Sequence, residues 1–261
     1  MCCLFLAASS TVAIAQTNVV DLVNPIIGTN GMGHTFPGAC VPFGLVQLSP
    51  DTDTIPHNVD GKYQPRSYEY CAGYQHKDSS IVGFSHTHFS GTGHSDLGDI
   101  LIMPTTGTLK LNPGTATNPD GGYRSRFSHD TEISRPGYYE VMLADYGVKA
   151  QLTTTQRAGI HKYTYPTNSE NQRIILDMIH GIYNYDGKVL WTNIRVENDT
   201  LVTGYRITNG WARTNYTYFA MSFSKPITHY GCEEKAKVDY RGGYATVSYT
   251  HLRAHETRHD L

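Results

Sequence analysis

The feature that most restricts this chain is the way its second half is punctuated. From about residue 139 onward, runs of strand length alternate with turn residues, and no sustained i, i+3, i+4, i+7 apolar stripe marks an amphipathic helix. Tyr139–Leu143 and Val148–Thr153 flank Asp145-Tyr146-Gly147, which reads as a hairpin. Further strands are predicted over His161–Tyr165, Arg173–Met178, Val189–Val196, Leu201–Thr208 and Tyr216–Phe223. Turn signals such as Asn168-Ser169, Asn198-Asp199 and Asn209-Gly210 separate them. Short strands at this spacing predict an all-β fold, an antiparallel β-sandwich. The 25 glycines and 19 tyrosines fit it, because tight turns favour the first and half-buried pleated surfaces the second.

Residues 24–105 read differently. They hold 6 of the 13 histidines and 11 of the 25 glycines in under a third of the chain but alternate poorly, so long Gly/His-rich loops are expected there. Polar loops held on a rigid sheet are where binding chemistry tends to sit.

The two ends carry their own signals. Met1–Ala15 is an apolar run closed by Ala13-Ile14-Ala15, the small-x-small pattern cleaved before Gln16, although a positively charged start is missing. The run is shorter than the roughly 20 residues a membrane-spanning helix needs. It reads as a signal peptide, with residues 16–246 as the sandwich domain of an exported protein, periplasmic or secreted. Residues 247–261 (VSYTHLRAHETRHDL) begin with a string resembling a translated sequencing adapter, so His251, His255 and Glu256 are not taken as a site. Cys40, Cys71 and Cys232 remain after the leader, which allows one disulfide plus a free thiol or three thiols. A net charge of -2 gives no reason to expect a nucleic-acid partner.

Two segments concentrate the chemistry. One runs from Asn24 to Thr52 and includes Gly33-His34-Thr35-Phe36-Pro37-Gly38. The other runs from Cys71 to Ile100 and includes Phe84-Ser85-His86-Thr87-His88-Phe89-Ser90-Gly91-Thr92-Gly93. Glycines let backbone approach a ligand, and His, Asp, Ser and Thr crowd donors and acceptors together. Interleaved aromatics add flat apolar faces. This lining suits a saccharide, with its hydroxyl edge and C–H faces, and equally a tightly knotted structural loop. On a strand, His86 and His88 would share one face. With His94, Asp96 and Asp99 they could sketch a transition-metal site, but no HExxH-type pattern supports one. A calcium cage from this chain alone would need six or more converging oxygens. No metal ligand is therefore assigned here. The phosphate-loop, dinucleotide and nucleophile-elbow motifs are absent. Asp51 and Asp53 read as loop-capping residues, and Asp96 and Asp99 as caps or network members.

The strings NPIIGTNGMGHTFPGACVPFGLVQLSPDT and CAGYQHKDSSIVGFSHTHFSGTGHSDLGDI, in that order, resemble the opening of glycoside hydrolase family 92. The resemblance is strong from Asn24 to about Gly107 and weaker to about Thr246. It implies an N-terminal β-sandwich that packs on a C-terminal (α/α)₆ barrel, with an active site at their junction. It implies exo-acting α-mannosidase activity on mannose-containing glycans, α-1,2 linkages foremost, with calcium and inversion. Inversion needs an acid and a base whose carboxyls stand about 6.5–9.5 Å apart. The resemblance places those carboxylates and most calcium ligands in the barrel, so no catalytic residue is assigned here and the chain alone is expected to be inactive. It puts Tyr68, three residues before Cys71, where the family usually has a tryptophan that stacks on the leaving-group sugar. His34, Phe36, His86 and His88 are expected to face the same junction. The competing reading is a stand-alone carbohydrate-binding module.

Overall fold

The structure, a computed structural model, describes residues 18–185, 187–235 and 244–249, with residues 232–235 and 244–249 described by their backbone. The predicted leader and residues 250–261 of the expected tail lie outside the described residues, as does the Cys232 side chain.

The hairpin predicted around Gly147 forms, with Gly147 at φ 63°. Tyr138–Leu143 pairs antiparallel with Val148–Thr154, and Leu143 lies opposite Val148. Alternate residues point inward along both strands, as the pleat requires. Gly159–Thr164 and Ile133–Arg135 complete a four-stranded sheet. Val189–Asn198, Leu201–Thr208 and Asn215–Ser222 make a three-stranded one.

Between them runs a seven-stranded antiparallel sheet. Its order is Ala39–Cys40, Gln47–Asp51, Gly83–Ser85, Leu101–Thr105, Arg173–Asp177, Tyr244–Tyr249 and Gly231–Lys235. Leu48, Phe84, Leu101, Met103 and Ile175 meet Tyr139, Val141, Leu143, Ala150 and Leu152 in the principal core. Ile102 and Leu176 point the other way, onto Ile194, Phe219 and Met221 of the three-stranded sheet. The seven-stranded sheet is thus covered on both faces, and Leu101–Thr105 is buried throughout. The fold is the expected antiparallel sandwich with a third, smaller layer added. Among the described residues the only helices are 3-10 turns.

Part of Tyr244–Tyr249 falls within the tail expected to be adapter, and its backbone pairs with Gly231–Lys235 and Arg173–Asp177.

Candidate saccharide-binding face

The segment Ile26–Phe36 is a chain of turns clamped from behind. Gln75, itself buried, accepts from the Gly31 amide at 2.8 Å and donates to the Gly31 carbonyl at 3.0 Å. Thr35 N–H donates to the Gly28 carbonyl. The clamp delivers His34 in the left-handed region at φ 53°, a conformation histidine tolerates better than most side chains. Its carbonyl accepts from the Gly91 amide at 2.6 Å, which ties this loop to the glycine-rich turn.

Tyr68 comes from the 3-10 helix Pro65–Tyr70, started by Pro65 and braced where Ser67 Oγ donates to the Gln64 carbonyl. Its ring stands edge-on to His34 at 4.9 Å and remains 39% exposed. A Cβ at Gly93 would overlap the Tyr68 hydroxyl, so only glycine lets that turn lie so close. His34 is buried, and its Nε2 has no hydrogen-bond partner. Among the described residues it is the one buried imidazole nitrogen left so. A buried polar atom without a protein partner calls for an explanation, and a ligand, a water or another surface is one.

His88 sits behind this face. Its ring lies 5.2 Å from that of Phe36. Its Nδ1 donates to the Gln47 carbonyl at 2.7 Å, and its Nε2 lies 2.9 Å from Asp51 Oδ1. Asp51 Oδ2 meets His180 Nε2 at 2.7 Å. Asp51 is therefore no loop cap but a fully buried hub, placed at the end of Gln47–Asp51 where the sheet meets the loops. Burial pushes its carboxyl upward. The two imidazoles more than offset this and hold it below the usual carboxylate range.

His86 points elsewhere. It lies just beyond the strand Gly83–Ser85, so the alternation that would have paired it with His88 on one face is broken. Nδ1–H donates to the Ile100 carbonyl at 2.7 Å, and Nε2 meets His161 Nε2 at 3.0 Å. Tyr163 O–H lies 2.7 Å from His161 Nδ1. The chain is consistent as Tyr163 O–H to His161, His161 N–H to His86, and His86 N–H to Ile100, with both imidazoles neutral. It staples the four-stranded sheet to the seven-stranded one and leaves neither His86 nitrogen for a sugar hydroxyl. Burial drives the His86 pKa down to about 4 and that of His161 well below its ordinary value.

The metal set sketched from His86, His88, His94, Asp96 and Asp99 does not converge among the described residues. Asp96 pairs with buried Lys188, and its Oδ2 accepts from the Trp211 amide at 3.0 Å. Asp99 pairs with fully buried Arg206 at 2.9 Å. His94 stacks edge-on against Trp211 at 4.4 Å. Cys40 and Cys71 are both free thiols.

Several of these residues escaped the sequence reading. Arg206 carried a usable signal, because it falls on the same inward face of its strand as Val202 and Thr208. A charge at an inward position calls for a buried counter-charge. Gln75, His180 and Lys188 carried none.

Fold and face together define a class: a sandwich domain that presents an aromatic and imidazole wall while its buried carboxylates are committed to internal partners. The profile described as the glycosyl hydrolase family 92 N-terminal domain matches residues 22–257, and the chain belongs to that family. The chain is 40% identical to the family 92 α-mannosidase BT3965 of Bacteroides thetaiotaomicron in complex with mannoimidazole. That match has a TM-score of 0.76 and covers 88% of this chain and 30% of that one. The family glycosyl hydrolase ccman5 shares the fold at 23% identity and a TM-score of 0.67, over 89% and 30%. An uncharacterized secreted glycosidase of Arthroderma benhamiae is 29% identical over 170 residues, 62% of this chain and 19% of that protein. The chain thus spans under a third of each relative's length. No helix among the described residues is long and apolar enough to cross a membrane.

Proposed function

We propose that this domain lines the glycan pocket of an exported α-mannosidase, which removes terminal α-1,2-linked mannose with inversion and uses calcium. The observation that carries the reading is the unpartnered Nε2 of His34 beside the exposed ring of Tyr68. An aromatic face and a waiting hydrogen-bonding nitrogen are the two contacts a pyranose needs. Tyr68 stacks on the leaving-group sugar, His34 meets one of its hydroxyls, and Phe36 closes the apolar side with His88 fixing its position.

A second domain supplies the acid, the base and most of the calcium ligands. Burial raises the carboxyls of Asp51 and Asp96, but His88 and His180 beside the first, and Lys188 with the Trp211 amide beside the second, hold both below their ordinary range, which suits neither to donate a proton near neutrality. Among the described residues the carboxylates also form no oxygen cage of the kind calcium takes, so these residues do not hold the ion by themselves. The domain alone is inactive on this account. Val19, Leu22, Ile27, Met32, Phe43 and Leu45, all between residues 19 and 45, are each more than 60% exposed, and this number of apolar side chains left open favours a covering domain over a free-standing binding module. The leader Met1–Ala15 and a relative described as secreted support export.

The test compares two substrates in the full-length gene product. Tyr68→Ala should lower kcat/KM on α-1,2-mannobiose roughly three- to tenfold, the worth of one aromatic stacking contact. It should leave α-mannosyl fluoride, whose leaving group has no ring, nearly unchanged. Equal losses on both would remove Tyr68 from the leaving-group side.

A further inference from the structure

A second cluster of ligand-type side chains shares no residue with the His34–Tyr68 wall. His76, from the loop after Cys71, stacks on His129 with ring centroids 4.0 Å apart. His129 belongs to the 3-10 turn His129–Thr131, and its Nδ1 lies 2.7 Å from Glu132 Oε2. One ligand atom from each of the three residues lies within 4.8 Å of the others.

The surroundings hold these groups in place. The His76 amide donates to the Thr29 carbonyl at 2.8 Å. Ser128 caps the 3-10 turn, and Phe127 meets the His129 ring edge-on at 5.0 Å. Glu132 has a side chain only 3% exposed. It accepts from the Tyr74 hydroxyl at 2.9 Å and the Tyr139 hydroxyl at 2.6 Å, both from buried tyrosines. A carboxylate oriented by two hydroxyls and facing two imidazoles is how a ligand and its outer shell are arranged at metal sites.

We infer that His76, His129 and Glu132 bind one divalent transition-metal ion, with zinc the best match to the donors. Two nitrogens and one carboxylate oxygen suit a borderline ion and not calcium or magnesium, which take oxygen. Three protein ligands leave one position of a tetrahedron for water, and the partly exposed His129 opens that position to solvent. The ion replaces the hydrogen bond between His129 and Glu132. It ties the Tyr74–His76 loop to the turn that leads into the four-stranded sheet.

The test uses the full-length gene product, stripped with EDTA and resupplied with excess calcium. Titration with Co²⁺ should build visible ligand-field bands to one equivalent, and Zn²⁺ should bleach them. His129→Ala, at a partly exposed position, should keep its metal-free melting temperature yet weaken cobalt binding roughly tenfold or more. Zinc should raise the melting temperature of the wild type and not of that variant. His76→Ala should repeat the loss. Absence of the bands, or bands unchanged in both variants, would overturn the assignment.

Discussion

The strands from Tyr138 to Thr154 and the loops from Gly28 to Gly98 bury their side chains by opposite means. The strands do it by period: every second residue enters the core, and the partner across the sheet is fixed by a four-residue turn. The loops, with the strand end that carries Asp51, add polar attachments to distant residues. Asp51 reaches His180 across 129 positions, and Asp96 reaches Lys188 across 92. A periodic core tolerates changes that conserve shape, because many contacts share the load. A polar hub does not, because losing one partner leaves another charge or donor buried without relief.

The largest expected effect follows from that contrast. Asp51→Asn should destabilise the domain by about 3 kcal/mol or more, since it uncouples both His88 and His180 inside the protein. The readout is the shift in its urea midpoint. A loss under about 1 kcal/mol would break the comparison.

A second effect comes from the imidazole staple between the sheets. Unfolded histidines take up a proton below about pH 6.5, whereas burial holds His86 back to about 4 and keeps His161 well below its ordinary value. The unfolded state therefore binds more protons over that interval, and stability falls as the pH drops from 6.5 toward 4. Each imidazole should contribute on the order of 1 kcal/mol per pH unit. Denaturant midpoints across this range should show the slope, and His161→Gln should flatten it. A slope unchanged in that variant would mean that the staple does not hold its imidazoles neutral.

The smallest effect belongs to the periodic half of the contrast. Ile175→Val, in the principal core, should cost only about 0.5–1.5 kcal/mol. If it matched Asp51→Asn, the two regions would be held by similar means after all.

The same contrast explains what could be read from the sequence. The strands from Tyr138 to Ser222 were legible because most of them have one face buried and one wet. Leu101–Thr105 and Gln47–Asp51 were not. The first is buried on both faces and shows no alternation, and both contain a proline, Pro104 or Pro50, which argues against a strand. His34 and Tyr68 were legible as candidates, and the structure brings their rings together. His88 stands behind Phe36, and His86 is turned into the staple. Asp51 looked like a turn residue because its partners lie far off in sequence. The pairing of His76 with His129 and Glu132 was hidden for the same reason, since a 3-10 turn leaves no periodic trace.

The most direct measurement is a crystal structure of the full-length gene product with a thio-linked α-1,2-mannobiose that it cannot hydrolyse. The account predicts the leaving-group ring over the face of Tyr68, with His34 Nε2 within about 3.2 Å of one of its hydroxyls. A leaving-group ring held wholly by the second domain, with His34 Nε2 bonded to protein instead, would contradict it.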